Sequence, residues 1–119
     1  MTNAIVLRED LRVVARQIHA RSRVLDLGCG DGELLNWLIH RRECTGTGVE
    51  REPEAVLAAI GRGVPLIELD LDSQLDLFGP DSYDVVVLSR TLQAVLRPDL
   101  ALAQMRTIAP RIIVSMPNF

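Results

Sequence analysis

At 119 residues and a net charge of −3, the chain is long enough for one small domain and has no electrostatic reason to seek nucleic acid or an anionic membrane. Aromatic residues are too few for a base-stacking platform, and all 13 basic residues are arginine, which excludes Schiff-base or lysine-base chemistry. No segment has the apolar length to span a bilayer and the amino terminus has no signal-peptide pattern, so a cytoplasmic location is expected. Cys29 and Cys44 form no metal-ligand spacing and read as free thiols, so no metal is expected.

Leu7, Leu11, Val14 and Ile18 recur at helical spacing and predict a lead-in amphipathic helix from about Arg8 to His19. Arg23 to Leu27 reads as a first strand, followed by a helix from Gly32 to about Ile39 with Leu34, Leu35 and Leu38 facing inward. Thr45 to Glu50 is a second strand, and Pro53 suits the first turn of a helix that Gly61 and Gly63 end. Pro65 to Leu69 makes a third strand and Tyr83 to Leu88 a fourth, whose unbroken Val85-Val86-Val87-Leu88 run marks a central strand covered on both faces. Asp99 to Ile108 is a helix and Arg111 to Ser115 a fifth strand. This alternation predicts an α/β, doubly wound, mostly parallel Rossmann-like sheet over residues 1–119, with no repeat or linker. In such sheets a ligand lies beyond the carboxyl ends of the strands.

The most informative stretch runs from Val24 to Leu35, where an apolar strand enters a turn with glycines at 28, 30 and 32 and then a helix. Glycine permits positive φ and lets a ligand approach the backbone amides, and the following helix begins with unpaired N–H groups. Asp26, at the strand end, can accept from a cationic or hydroxyl-bearing ligand. The combination suits a zwitterion better than a pyrophosphate. Glu33 holds the place of the third glycine in a dinucleotide fingerprint, which argues against a nicotinamide enzyme.

D-x-G-x-G-x-G resembles motif I of class I S-adenosylmethionine-dependent methyltransferases. That resemblance implies S-adenosylmethionine or S-adenosylhomocysteine as ligand and a strand order of 3-2-1-4-5. It assigns the ribose hydroxyls to Glu50 and the adenine edge to Asp70, with Leu71 packed on the ring. Taken singly, Glu50 or Asp70 reads as a solvated strand-end acid or cap; their succession with Asp26 and the glycines favours a ligand. The expected cofactor-binding set is Asp26, Gly28, Cys29, Gly30, Gly32, Glu50, Asp70, Leu71 and Ser89. Ser89, Arg90, Thr91 and Gln93 follow the central strand on the ligand side, and Arg90 either holds a substrate carboxylate or is a surface arginine. Asp72, Asp76, Asp81 and Asp84 read as surface acids, and His19 and His40 as boundary residues, which leaves no assigned catalytic group.

Further motifs resemble the MetW family of methionine-biosynthesis proteins. They are Glu50-x-x-Pro53, Gly61-Arg62-Gly63-Val64, Glu68-Leu69-Asp70-Leu71-Asp72, Leu92-Gln93-Ala94-Val95 before Pro98, and Pro117-Asn118-Phe119. The resemblance implies a class I methyltransferase fold and a role with a homoserine O-acyltransferase in the acylation that opens methionine synthesis. It also implies more chain after Phe119, so a C-terminally shortened domain without the sixth and seventh strands is expected, prone to pair as a homodimer or to dock. No nucleophile for acyl transfer is legible, so that chemistry is assigned to the partner. The alternative is an independent small-molecule methyltransferase.

Overall fold

Every residue of β1 (Arg23–Leu27) after Arg23 is buried, and the strand takes the middle of a five-stranded sheet. The computed structural model describes residues 6–89 and 95–115. β1 is flanked by β2 (Thr45–Val49) and β4 (Val85–Ser89); β3 (Leu66–Ile67) lies outside β2, and β5 (Arg111–Ser115) outside β4. All four pairings are parallel, so the order is β3-β2-β1-β4-β5, the order the methyltransferase resemblance implies. Asp26 lies in register with Gly48 on one side and Val87 on the other.

Alternate strand residues serve opposite faces, as the pleat requires. Val24, Val85 and Val87 pack with α1 (Glu9–Ala15), α2 (Glu33–Arg42) and Ala59 of α3 (Pro53–Gly61). Leu25, Leu27, Val86 and Leu88 pack with α4 (Pro98–Ile108) and a 3-10 turn, Leu75–Leu77. Burying each such side chain contributes about 1.5–3 kcal/mol, so the two-sided run in β4 anchors both layers.

Helix ends follow local chemistry. Pro53 opens α3, capped by the Glu52 carboxylate, which accepts from the amides of Glu54 (3.3 Å) and Ala55 (2.8 Å). Leu34, Leu35 and Leu38 are buried as expected, but α2 runs on to Arg42, three residues past Ile39. His40, Arg41 and Arg42 complement the negative end of the helix, and Glu43 stops it in a left-handed conformation.

Other boundaries differ more. α1 ends at Ala15, although Ile18 stays buried because Gln17 and Ile18 continue in i→i−3 bonds to Val14 and Ala15. β3 is two residues long rather than Pro65 to Leu69. At the sheet edge it pairs only with Gly48 and Val49, and the chain then turns so that the Asp70 amide donates to Gln74 Oε1 at 2.7 Å. β4 starts at Val85, because Asp84 instead accepts from the Arg23 amide (2.7 Å) and pairs with its guanidinium (3.0 Å). Arg23 holds the Asp84 carboxyl below its usual range. Arg90, Thr91, Leu92, Gln93, Ala94 and Pro117-Asn118-Phe119 lie outside the described residues, as does the Ser89 side chain.

Candidate functional site

The three alternating glycines are used as their spacing predicts. Gly28, Gly30 and Gly32 all have positive φ, at 70°, 59° and 80°. A Cβ on Gly32 would also press on Val64 and Ala59, so this glycine serves helix packing and the close seating of α3. A Cβ on Gly30 would meet nothing within 4 Å, so here the loop faces open space.

Most of the loop amides are already engaged. Gly28 and Cys29 donate to the Val49 carbonyl (2.8 and 3.0 Å), and Gly30 donates to Glu50 Oε1 (2.8 Å). At the start of α2 the Glu33 amide donates to Asp31 Oδ1 at 3.2 Å. An anionic ligand would have to break these bonds.

Glu50 sits one residue past β2 and organises the loop from outside. Its Oε2 accepts from the amides of Arg51 and Glu52, both at 3.0 Å. A carboxylate offers about four acceptor sites, so one remains, on Oε1. Two ribose hydroxyls cannot both bond Glu50 without displacing an amide.

Asp26 is the anomaly of the site. It is 2% exposed, and its Oδ1 is buried with no hydrogen-bond partner. Burial first, and the Glu50 charge second, push its carboxyl up to about 7. The same causes, with Asp26 itself contributing, push the Cys29 thiol up to about 12, so it stays protonated at neutral pH. Its sulfur packs against Gly48, where any Cβ would lie 2.6 Å away, and Sγ approaches the Gly30 carbonyl at 3.6 Å. Cys29 and Gly32 therefore shape the loop from behind.

Beside the loop, at the carboxyl ends of β1 and β2, is a cleft of about 270 Å³. Of the residues expected to bind the cofactor, Gly28, Glu50, Asp70 and Leu71 line it, together with Val49, Arg51, Leu69, Asp72 and Val95, whereas Asp26, Cys29, Gly30 and Gly32 do not. Arg51 approaches Asp70 at 3.9 Å. Asp72 corrects the reading of it as an ordinary surface acid: its Oδ1 accepts from the Leu96 amide (2.8 Å) and, at 3.4 Å, that of Arg97, tying this wall to the start of α4. Only its place in Leu69-Asp70-Leu71-Asp72 hinted at this. Val95 stood out in the sequence only as the end of the Leu92-Gln93-Ala94-Val95 motif, which gave it no place in the site. A second hollow, about 400 Å³, lies between α1 and α2 and contains no residue of the glycine loop. Glu50, Asp70 and Asp72 converge on the smaller cleft, which is the candidate site.

The family model of methionine biosynthesis protein MetW matches residues 8–119. The chain belongs to the MetW family. A curated relative, the bifunctional methionine biosynthesis protein MetXA/MetW of Rhodopirellula baltica, is 38% identical over 97% of this chain. The chain spans only 20% of that relative's length. Among solved structures, a SAM-dependent methyltransferase from Archaeoglobus fulgidus superposes with a TM-score of 0.78 at 23% identity, over 91% of this chain and 50% of that one. Coclaurine N-methyltransferase, bound to N-methylheliamine and SAH, superposes with a TM-score of 0.75 at 18% identity, over 87% of this chain and 34% of that one. These likenesses establish the methyltransferase fold. Among the described residues, no helix is long and apolar enough to cross a membrane.

Proposed function

We propose that the cleft binds S-adenosylmethionine or S-adenosylhomocysteine, and that the chain acts in methionine biosynthesis by supporting a homoserine O-acyltransferase. The observation that carries the ligand is the convergence of Glu50, Asp70 and Asp72 on one cleft beside the glycine loop, with the unpartnered buried oxygen of Asp26 on the strand that leads into that loop. Such acids want donors: an ammonium group, ribose hydroxyls, an adenine amine. A pyrophosphate would meet like charge and a loop most of whose amides are already engaged.

In this reading Glu50 keeps the loop in place through Gly30 and offers its one free acceptor site to a hydroxyl. Asp70 accepts from the base edge, while Val49, Leu69, Leu71 and Val95 give the ring apolar walls. S-adenosylmethionine, when bound, supplies a methyl group made electrophilic by its sulfonium. For the partner, support comes from the Rhodopirellula relative, whose name joins MetXA and MetW in one bifunctional protein.

Calorimetry with S-adenosylmethionine, S-adenosylhomocysteine and NAD tests the ligand; the first two should bind and NAD should not. Mixing the chain with a homoserine O-acyltransferase from the same organism tests the role, through complex formation and acylation rate. The independent-methyltransferase alternative has the fold of the Archaeoglobus protein behind it. It takes over if the chain alone turns over many methyl groups and leaves the acyltransferase unaffected.

A further inference from the structure

The hollow between α1 and α2 is unused by the ligand reading, and its lining is unlike the cleft's. Val6, Leu7 and half-buried Trp37 give it an apolar floor, and Arg12, Arg16 and Arg42 surround it. Among the described residues, none of these three arginines is in an ion pair. Arg12 donates its Nε to the Leu7 carbonyl (2.9 Å) and Arg42 one Nη to the Ile18 carbonyl (3.1 Å), which orients both and leaves most of their donors free.

Cations at helix ends complement the dipole, but that does not account for three meeting at one apolar hollow in a chain of net charge −3. Arg12 and Arg16 are moreover four residues apart on one helix flank, a like-charge spacing that disfavours the helix. Val6 in the floor is 69% exposed, and Val13 on α1 is 54% exposed. Arginine and tryptophan around an apolar pocket are the residues that dominate protein–protein binding energy.

We propose that the α1–α2 face, with Trp37 as its floor and Arg12, Arg16 and Arg42 as its rim, is a docking site for an acidic segment with an apolar anchor on the partner acyltransferase. The charge of the rim selects that occupant. This rests on the partnership proposed above and adds its location. α2 joins the two sites: its first residue, Glu33, follows the glycine loop and grips Arg8 at 2.9 Å beside α1, while Trp37 and Arg42 further along face the partner.

The test uses the full chain and a homoserine O-acyltransferase of the same organism, comparing wild type with the double charge reversal Arg12→Glu/Arg16→Glu. Both side chains are exposed, so the variant should stay folded and keep its affinity for S-adenosylhomocysteine, with a Tm lowered only by the loss of the Arg12–Leu7 bond and of two cations at the end of α1. Complex formation should weaken at least tenfold, and the wild-type complex should weaken with added salt. A complex that forms equally well with the variant overturns the docking site and leaves the partnership standing. No complex with wild type overturns both. A dimer of the chain alone that the double reversal dissolves assigns the face to a second copy and also overturns the proposal.

Discussion

The two sides of the cleft are built by different means. On one side, β1 and its loop form a packed strand running into three left-handed glycines, with the loop amides of Gly28, Cys29 and Gly30 bonded to Val49 and Glu50. On the other, a two-residue β3 gives way to an irregular wall held by a few side-chain bonds: Asp70 to the Asp72 amide (2.9 Å), Gln74 to the Asp70 amide and Asp72 to the Leu96 amide. The first side is set by backbone sterics and burial, which leave one conformation. The second rests on partly exposed hydrogen bonds worth about 1 kcal/mol each. The floor of the site should be rigid and intolerant of change, the wall adjustable.

The contrast predicts a graded series of effects. Gly30→Val should do most, because valine disfavours a φ of 59° and would project into the open space beside Glu50. The strain costs about 1–2 kcal/mol of stability, and S-adenosylhomocysteine binding should be lost. Undiminished binding by the folded variant in calorimetry would remove the loop from the site.

Asp26 comes next, through pH. Its folded-state value of about 7 lies above the ordinary 3.8, so between these values the folded chain holds more protons than the unfolded one. Stability therefore falls as pH rises through that window, by up to a few kcal/mol. Asp26→Asn should flatten the fall, being more stable than wild type at pH 8 but not at pH 4, as denaturant titrations at the two pH values would show. A cationic ligand that favours the charged carboxylate should bind wild type more tightly as pH rises through 7, with proton release that the variant lacks.

Glu50→Gln keeps the shape but replaces an acceptor oxygen by a donor opposite amides that need an acceptor. Charged hydrogen bonds of this kind contribute about 1.5–3 kcal/mol, so ligand affinity should fall at least tenfold. An unchanged dissociation constant in a stable variant would refute the role of Glu50. The smallest effect belongs to the adjustable wall. Asp72→Ala removes the acceptor for the Leu96 amide and should cost about 1 kcal/mol in stability, with a few-fold loss of affinity. A loss as large as that of Gly30→Val would abolish the distinction between floor and wall.

The regions differ in legibility for the same reason that they differ in rigidity. The buried faces of β1, β4 and α2 and the loop conformation could be read from residues near in sequence, whereas the sheet order came only from the methyltransferase resemblance. Gly28, Gly30 and Gly32 announce left-handed backbone wherever the rest of the chain lies, and Val85 to Leu88 announce a strand covered on both faces. The short β3 was not legible, since an edge strand extends only as far as its one neighbour pairs with it.

By itself, then, the sequence determined the strand–loop–helix unit, the parallel alternation of elements and the acids at successive strand ends, because sterics and hydrophobic periodicity act over a few residues. Only the tertiary structure decided what those acids became. Asp26 lost its solvent because layers packed over both faces of the sheet, and Glu50 spent three acceptor sites on amides of two separate segments. Asp72 reached across to Leu96, and the arginines of α1 and α2 met around Trp37. Solvation, charge and hydrogen-bond partnership depend on distances between residues far apart in the chain, and those distances exist only once the chain has folded.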